Sequence, residues 1–245
     1  MTELPKINFD MENYNYELFN HEKNLNSINI TEIPIFELPQ SKNFLTIYIV
    51  INDFQEENLA QLANCITSIK VQTFASTNIE LLNLDKNHYT QNIIKKMANN
   101  INCGYISTDT QNLGMELEKV LDCNKSEYIC IIDYKNIFPR IKDIENVINL
   151  LFKEQYDYLT LTIHYINADN TSYNLPETHN RILNATDNYH YSAFFKRTKL
   201  NEIKLSQIDT RPIDLNIVKN FKLNNLNGIH LTSKTEIKIL GQLER

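Results

Sequence analysis

The feature that most constrains the fold is one run of β-branched and aromatic residues, FLTIYIVIN, at positions 44–52. The run is apolar at nearly every position rather than at alternate ones, which is typical of a strand buried on both faces. Strands of this kind belong to parallel sheets that are covered by helices. The sequence therefore predicts that such a sheet begins at residue 44.

The segments after this strand alternate between helical and extended patterns, which predicts an α/β fold with a right-handed, mostly parallel central sheet and helices on both faces. The periodicity of the apolar residues predicts helices over 58–72, 89–100, 141–154 and 213–223, and a further helix that begins after Leu113. It predicts strands over 79–84, 104–107, 128–133, one long strand over 156–166, a short one over 191–196, and one or two within 228–240. A polar loop is expected to connect the strands over 156–166 and 191–196.

Ligands of parallel sheets bind beyond the carboxyl ends of the strands, and polar residues follow three of the predicted strands. We expect the strands over 44–52, 79–84 and 128–133 to be neighbours, so that their carboxyl ends share one cleft. The residues to consider there are Asn52, Asp53, Asn83, Asp85 and Asp133.

Composition excludes several classes of protein. The net charge of −6 and the lack of a dense basic cluster argue against a nucleic-acid partner. With four glycines in the chain there is no Gly-rich phosphate loop, and the six histidines never take a zinc-binding spacing. The four cysteines form no CxxC pair, so buried free thiols are expected.

The ends of the chain differ in character from its centre. Residues 1–42 are polar and contain prolines at 5, 34 and 39, which predicts an N-terminal extension. The opening residues, MTELPKINFD, lack the basic and apolar regions that are typical of a signal peptide, and the apolar runs of the chain are shorter than the roughly 18 residues that a membrane helix needs. We expect a cytoplasmic protein without a transmembrane segment, with peripheral binding to the inner membrane face left open.

Three stretches carry a more specific pattern. LTIYIVINDFQEENLAQLANCITSIKVQTF, residues 45–74, ends in a Ser-Ile-x-x-Gln-Thr signature, and QNLGMELEKVLDCNKSEYICIID, residues 111–133, has an Asn-x-Gly helix start and a strand that ends in Asp133. YSAFFKRTKLNEI, residues 191–203, places an Arg before a helix. In this order and at these distances, the stretches resemble glycosyltransferase family 2 proteins of the GT-A fold.

The resemblance implies a single GT-A-like domain over residues 43–245, with a nucleotide-binding half over 43–140 and an acceptor-side half over 141–245. It implies transfer of a sugar, with inversion, from a UDP- or GDP-linked donor to a glycan, glycolipid or protein acceptor, as in polysaccharide biosynthesis. It also implies Mg²⁺ or Mn²⁺ at the diphosphate.

Two motifs depart from the family pattern. The paired acids of the family read Leu82-Asn83-Leu84-Asp85 here, and its Asp-x-Asp metal motif reads Asp133-Tyr134-Lys135-Asn136. Asp133 keeps one carboxylate for a metal, but the ammonium of Lys135 cannot be a ligand, so the metal is expected to be weakly required or dispensable. Lys135 can instead neutralise the leaving diphosphate, with Asn136 offering a neutral oxygen. The alternative is a polar turn after a buried strand.

The remaining site residues follow from the same resemblance. Asn52, Asp53 and Asp85 are expected to contact the base and ribose, with helix capping as the alternative, and Asp133 and Lys135 the diphosphate. Asp214, in RPIDLNI at residues 211–217, is the candidate general base, with Asp209 in reserve. An ordinary helix-dipole partner is the other interpretation of Asp214.

Three hypotheses about function stay open at this point. The first is an active glycosyltransferase, and the second is a GT-A-like binding or partner module that has lost transfer activity. The third, a nucleotidyltransferase-like protein, is disfavoured by the missing Gly-rich loop.

Overall fold

The structure is a computed structural model that describes residues 44–108, 112–138, 140–161, 163–166, 172–174, 192–208, 216–218, 220–221, 224–231 and 237–240. The predicted N-terminal extension over residues 1–42 lies outside these residues and stays a prediction. The division of the rest into nucleotide-binding and acceptor-side halves also stays a prediction.

The first half of the described chain alternates strands and helices as predicted. Strand β1 (Leu45–Ile51) is followed by a 3-10 turn (Glu56–Asn58), α1 (Leu59–Lys70), β2 (Thr77–Asn83) and α2 (His88–Asn100). Next come β3 (Gly104–Ser107), α3 (Leu113–Cys123) and β4 (Tyr128–Asp133). All seven residues of β1 are buried, which explains why its sequence is apolar without alternation.

The second half contains a short strand β5 (Asn136–Ile137), α4 (Asp143–Lys153), β6 (Tyr158–Leu161), β7 (Ile163–Ile166) and β8 (Ser172–Asn174). It continues with β9 (Ser192–Lys196), α5 (Arg197–Leu200), a 3-10 turn (Leu205–Gln207), β10 (Gly228–Leu231) and β11 (Ile237–Leu240). Residues 216–218 and 220–221 are helical, as predicted for the segment over 213–223.

The central sheet has seven strands in the order β10-β6-β9-β4-β1-β2-β3. Strand β9 runs antiparallel to both of its neighbours, and every other pair is parallel. The predicted α/β fold class is confirmed, and β4, β1 and β2 are neighbours as expected. The chain thus has the mixed but mostly parallel sheet of a GT-A fold.

One predicted strand is wrong. The pattern over 156–166 predicted a single long strand, but β6 belongs to the central sheet while β7 belongs to a second sheet of order β5-β11-β7-β8. The apolar alternation continues from β6 into β7 although the two strands belong to different sheets, so the pattern alone does not reveal which sheet each half joins. Strand β8, in the second sheet, also lies within the segment that was expected to be a loop.

Helices cover both faces of the central sheet. On one face Ile47 and Ile49 of β1 pack in a core with Leu62 and Ile66 of α1 and with residues of α2 and α4. On the other face Tyr48 and Val50 pack with Leu117 and Leu121 of α3 and with apolar residues of the segments 200–208, 216–218 and 220–221. Each fully buried aliphatic side chain contributes about 1.5–3 kcal/mol. The two cores fix the strands whose ends form the candidate site.

The Asn-x-Gly element at the start of α3 has a structural role. The Asn112 side chain accepts a hydrogen bond from the Met115 amide at 2.9 Å, which caps the helix. A Cβ atom at Gly114 would overlap the carbonyl oxygen of Leu205, so only glycine lets the 3-10 turn pack this closely. Asn112 thus fixes the start of α3, and Gly114 lets this helix pack against the later part of the chain.

Candidate functional site

The carboxyl ends of three neighbouring strands meet at one edge of the central sheet. Val50 of β1 lies opposite Asp133 of β4, and Ile51 lies opposite Asn83 of β2. The residues that follow these pairs therefore leave the sheet at the same level. The structure brings the predicted residues Asn52, Asp53, Asp85, Asp133 and Lys135 to this edge.

The end of β1 turns sharply at Asp53. This residue has a φ of 52°, in the left-handed region that Asp tolerates better than most residues. The Asn52 side-chain amide donates to the exposed Asp53 carboxylate. The two side chains thus form one polar unit that faces solvent beside the sheet.

The end of β2 is built from successive turns in which an Asn or Asp side chain caps a backbone amide. Asn83 Oδ1 accepts from the Asp85 amide at 3.0 Å, Asp85 Oδ1 from the Asn87 amide at 2.9 Å, and Asn87 Oδ1 from the Tyr89 amide at 2.9 Å. Asp85 is therefore partly a capping residue. Its second oxygen, Oδ2, has no hydrogen-bond partner among the described residues and can take a ligand.

Asn83 differs from Asp85 because it is fully buried. Its amide nitrogen donates to the Tyr105 hydroxyl of β3 at 3.2 Å, and its oxygen is used in the turn. Asn83 therefore supports the loop and does not face a ligand.

The end of β4 is a tight turn. Asp133 Oδ1 accepts a hydrogen bond from the Lys135 amide at 2.9 Å, which is the arrangement of a polar turn after a buried strand. The turn leaves the half-buried Lys135 side chain at the edge of the sheet. Asn136 is fully buried in β5, and the expectation that it offers a neutral oxygen stays a prediction.

Tyr134 and Phe54 connect two of these strand ends. The Tyr134 ring is buried and packs edge-on against Phe54, with 5.3 Å between the ring centroids. Burial raises the pKa of the Tyr134 hydroxyl, and the nearby carboxylates of Asp133 and Asp53 raise it further. Sequence reasoning missed both aromatic residues, although each one directly follows a predicted site residue.

The residues present do not form a metal site by themselves. Asp133 can offer one carboxylate, but Lys135 places a positive charge next to it. Among the residues that the structure describes, no group of three or more His, Cys, Asp or Glu side chains could hold a metal ion. A cation here would depend on phosphate oxygens for most of its ligands.

The candidate base Asp214 and its reserve Asp209 lie outside the described residues. Their position relative to Asp133 stays a prediction.

The Ser-Ile-x-x-Gln-Thr signature lies away from the strand ends and ties α1 to the start of α4. Gln72 Nε2 donates to the carbonyl oxygens of Arg140 at 2.7 Å and Ser68 at 2.9 Å, and Oε1 accepts from the Ile144 amide at 3.1 Å. The Ser68 hydroxyl accepts from the Phe138 amide at 3.1 Å. The signature is therefore a structural clamp on the segment that follows the turn at Asp133.

A cavity of about 490 Å³ lies elsewhere, between α3 and the amino-terminal halves of β1 and β2. It does not include any of the predicted site residues, so the candidate site is an open edge rather than this cavity. Its lining includes Thr46, Tyr48, Asn78, Glu80, Glu116 and Lys119.

Comparison with solved structures relates the fold to known proteins. The structure of S. aureus TarS 1–349 superimposes with a TM-score of 0.60 and 12% sequence identity, covering 80% of this chain and 60% of that one. TarS 1–349 in complex with UDP-GlcNAc gives the same TM-score and sequence identity, and the match covers 82% of this chain and 59% of that one. The mannosyltransferase PcManGT from Pyrobaculum calidifontis, in complex with GDP-Man and Mn²⁺, superimposes with a TM-score of 0.60 and 11% sequence identity. The match covers 93% of this chain and 63% of that one.

At such low identity the likeness concerns the fold alone, and the chain spans about 60% of the length of these proteins. No curated protein sequence matches the chain. In the part of the chain that the structure describes, no helix has the length and apolar character to span a membrane.

The comparison with family models is more specific. The model described as Glycosyl transferase family 2 matches residues 48–214, a range that begins in β1 and includes all the strand ends of the candidate site. The chain belongs to glycosyltransferase family 2.

Proposed function

We propose that this chain binds a nucleotide diphosphate sugar at the carboxyl edge of its central sheet and transfers the sugar, with inversion, to a glycan, lipid or protein acceptor. The observation that carries the proposal is the convergence of Asp53, Asp85 and Asp133 on one edge of a family 2 fold. The solved structures of the same fold include complexes with UDP-GlcNAc and with GDP-Man, which supports a UDP- or GDP-linked donor.

The base and ribose are assigned to the ends of β1 and β2. Asp85 Oδ2, which the turn does not use, can accept hydrogen bonds from a base N–H or a ribose hydroxyl. At the end of β1, Asn52 and Asp53 are assigned to the same base and ribose, because their linked amide and carboxylate provide both a donor and acceptors.

The diphosphate is assigned to the end of β4. Lys135, a half-buried residue, brings a positive charge to the place where the resembled family uses a metal-bound carboxylate, and this charge can stabilise a leaving diphosphate. Donor binding then needs little or no Mg²⁺ or Mn²⁺. Asp133 orients Lys135 through the turn hydrogen bond.

The acceptor hydroxyl needs a base on the opposite side of the sugar, and we assign that role to Asp214. A carboxylate within hydrogen-bonding reach is sufficient for this chemistry. The cytoplasmic location and the role in polysaccharide biosynthesis that the sequence suggested belong to the same proposal.

The proposal is tested by screening UDP- and GDP-linked sugars for thermal stabilisation and for release of nucleoside diphosphate, with and without Mn²⁺. A ligand that binds the native state raises its melting temperature. Asp85→Asn should weaken this stabilisation, whereas Asp122→Asn, on the exposed surface of α3, should leave it unchanged. If no nucleotide sugar stabilises the unmodified protein, the proposal is wrong.

A binding module without transfer activity is the second candidate, and the altered Asp133-Tyr134-Lys135-Asn136 motif is the observation that favours it. Stabilisation by a nucleotide sugar without turnover on any acceptor, and without hydrolysis, would support this alternative.

A further inference from the structure

Tyr134 occupies the middle of the turn that carries Asp133 and Lys135, and it is more tightly held than either neighbour. Its side chain is 2% exposed. Its backbone amide donates to the Val50 carbonyl oxygen at 3.2 Å, and its ring packs against Phe54 at an interplanar angle of 65°. The residue is therefore fixed to β1 by its backbone and to the loop after β1 by its ring.

Lys135 is adjacent to this ring in space as well as in sequence. The Lys135 Nζ atom lies 5.4 Å from the Tyr134 ring centroid, within the range of a cation–π contact. The Asp133 carboxylate holds the Lys135 backbone amide at 2.9 Å. The lysine is thus restrained at its backbone by Asp133 and at its ammonium by the Tyr134 ring.

Such restraint matters because lysine has a long and flexible side chain. A free lysine loses rotamer entropy when a ligand fixes it, and a lysine that is already placed loses less. The Tyr134 ring contacts Phe54, which follows Asp53, and the Lys135 ammonium, so it lies next to both the loop assigned to the base and the turn assigned to the diphosphate.

We propose that Tyr134 is a positioning residue whose ring, fixed by Phe54, holds the Lys135 ammonium where the diphosphate of the nucleotide binds. The inference rests on the proposed function, because it assigns the diphosphate to Lys135. Substitution of Tyr134 should therefore lower the affinity that the phosphates add to nucleotide binding, and it should leave the affinity for the nucleoside alone unchanged.

The test compares a nucleoside with its diphosphate by isothermal titration calorimetry, using uridine with UDP and guanosine with GDP. In Tyr134→Leu, the affinity for the nucleoside should be unchanged, and the affinity for the diphosphate should fall about 2- to 5-fold, the effect of losing a partly exposed cation–π contact. Tyr134→Phe keeps the ring and should restore the full affinity. In a Lys135→Met background, Tyr134→Leu should have no effect on diphosphate affinity, because the partner of the ring is gone.

Tyr128→Leu is the matched control. Tyr128 is a buried tyrosine at the other end of the same strand, with its ring 5.5 Å from Phe44, so its loss destabilises the fold without touching the turn. If Tyr134→Leu does not fold, Tyr134→Met replaces it, because an unbranched side chain fills irregular space more readily.

Equal losses for nucleoside and diphosphate, or an unchanged diphosphate affinity in Tyr134→Leu, would overturn the positioning role. The absence of any binding of UDP and GDP to the unmodified protein would instead contradict the proposed function.

Discussion

The carbonyl oxygen of Val50 accepts a hydrogen bond from the backbone amide of Tyr134 at 3.2 Å, which extends the pairing of β1 with β4 one residue past the end of β4. This contact fixes the turn at Asp133 relative to the loop at Asp53. The two acidic residues belong to distant parts of the sequence, yet one ladder of backbone hydrogen bonds holds both at the same edge. The site we propose depends on this arrangement.

Lys135→Asp should create metal dependence. The change removes the ammonium and supplies a second carboxylate close to Asp133, and two carboxylates together with phosphate oxygens suit Mg²⁺ or Mn²⁺. Nucleotide affinity measured by calorimetry should then fall about tenfold or more when a chelator is added. Affinity in the unmodified protein and in the exposed-surface control Lys125→Asp should change little with a chelator. A strong Mn²⁺ requirement in the unmodified protein would contradict the assigned role of Lys135.

Asp214→Asn should nearly abolish sugar transfer while donor affinity stays the same. Removing a general base slows transfer by about 10²- to 10⁴-fold, because the group acts mainly in the transition state. Steady-state turnover and donor titration together separate the two effects. Full turnover in Asp214→Asn would exclude this residue as the base, and Asp209→Asn is then the variant to measure.

Gln72→Met should destabilise the fold without altering nucleotide recognition. The change leaves the Arg140 carbonyl and the Ile144 amide without their side-chain partner in a buried position, which costs about 2–4 kcal/mol in the free energy of unfolding. Urea unfolding measures this loss. Gln61→Met, within α1 and with a single 3.4 Å contact to Asn58, is the control and should change the stability by less than about 1 kcal/mol. Similar stabilities for the two variants would show that the signature is not a clamp.

The four cysteines should react with thiol reagents in an order set by burial. Cys123 is exposed and should react first at pH 8, whereas Cys65 and Cys130 are buried and should react only after unfolding. Burial raises the pKa of the Cys65 and Cys130 thiols in the folded protein. Their contribution to the free energy of unfolding is therefore fully present below the ordinary thiol pKa. It is lost as the pH rises above about 8.5, because the same thiols ionise in the unfolded chain. Labelling with and without denaturant, followed by mass spectrometry, checks the order. Rapid labelling of Cys130 in the native protein would contradict its burial.

The sequence predicted the parts of the fold that short patterns determine. The run over 44–52 is apolar throughout because β1 is buried on both faces, and β4 and β2 are its neighbours as expected. The alternation over 156–166 was correct as a strand pattern, but it carried no signal for the change of sheet between β6 and β7. Pairing with β10 on one side and β11 on the other is a long-range contact that local periodicity cannot reveal.

The candidate site was only partly predictable for a related reason. Polar residues after strands mark the edge of a parallel sheet, which located Asp53, Asp85 and Asp133. Whether each side chain faces a ligand or its own loop depends on turn geometry, and the turns bury Asn83 and Asn136 while leaving Asp85 half-buried. The contact of Tyr134 with Phe54 joins residues 80 positions apart, so no local pattern indicates it.

Hydrogen–deuterium exchange of the unmodified protein, with and without a saturating nucleotide sugar, tests whether the nucleotide binds at the carboxyl edge of the central sheet. Nucleotide at the sheet edge should slow exchange together in three segments, residues 52–56, 84–89 and 134–137, because each follows one of the strand ends that form the site. Residues 116–126, beside the separate cavity against α3, should exchange at an unchanged rate. Protection confined to residues 116–126, with the three strand-end segments unaffected, would contradict the account.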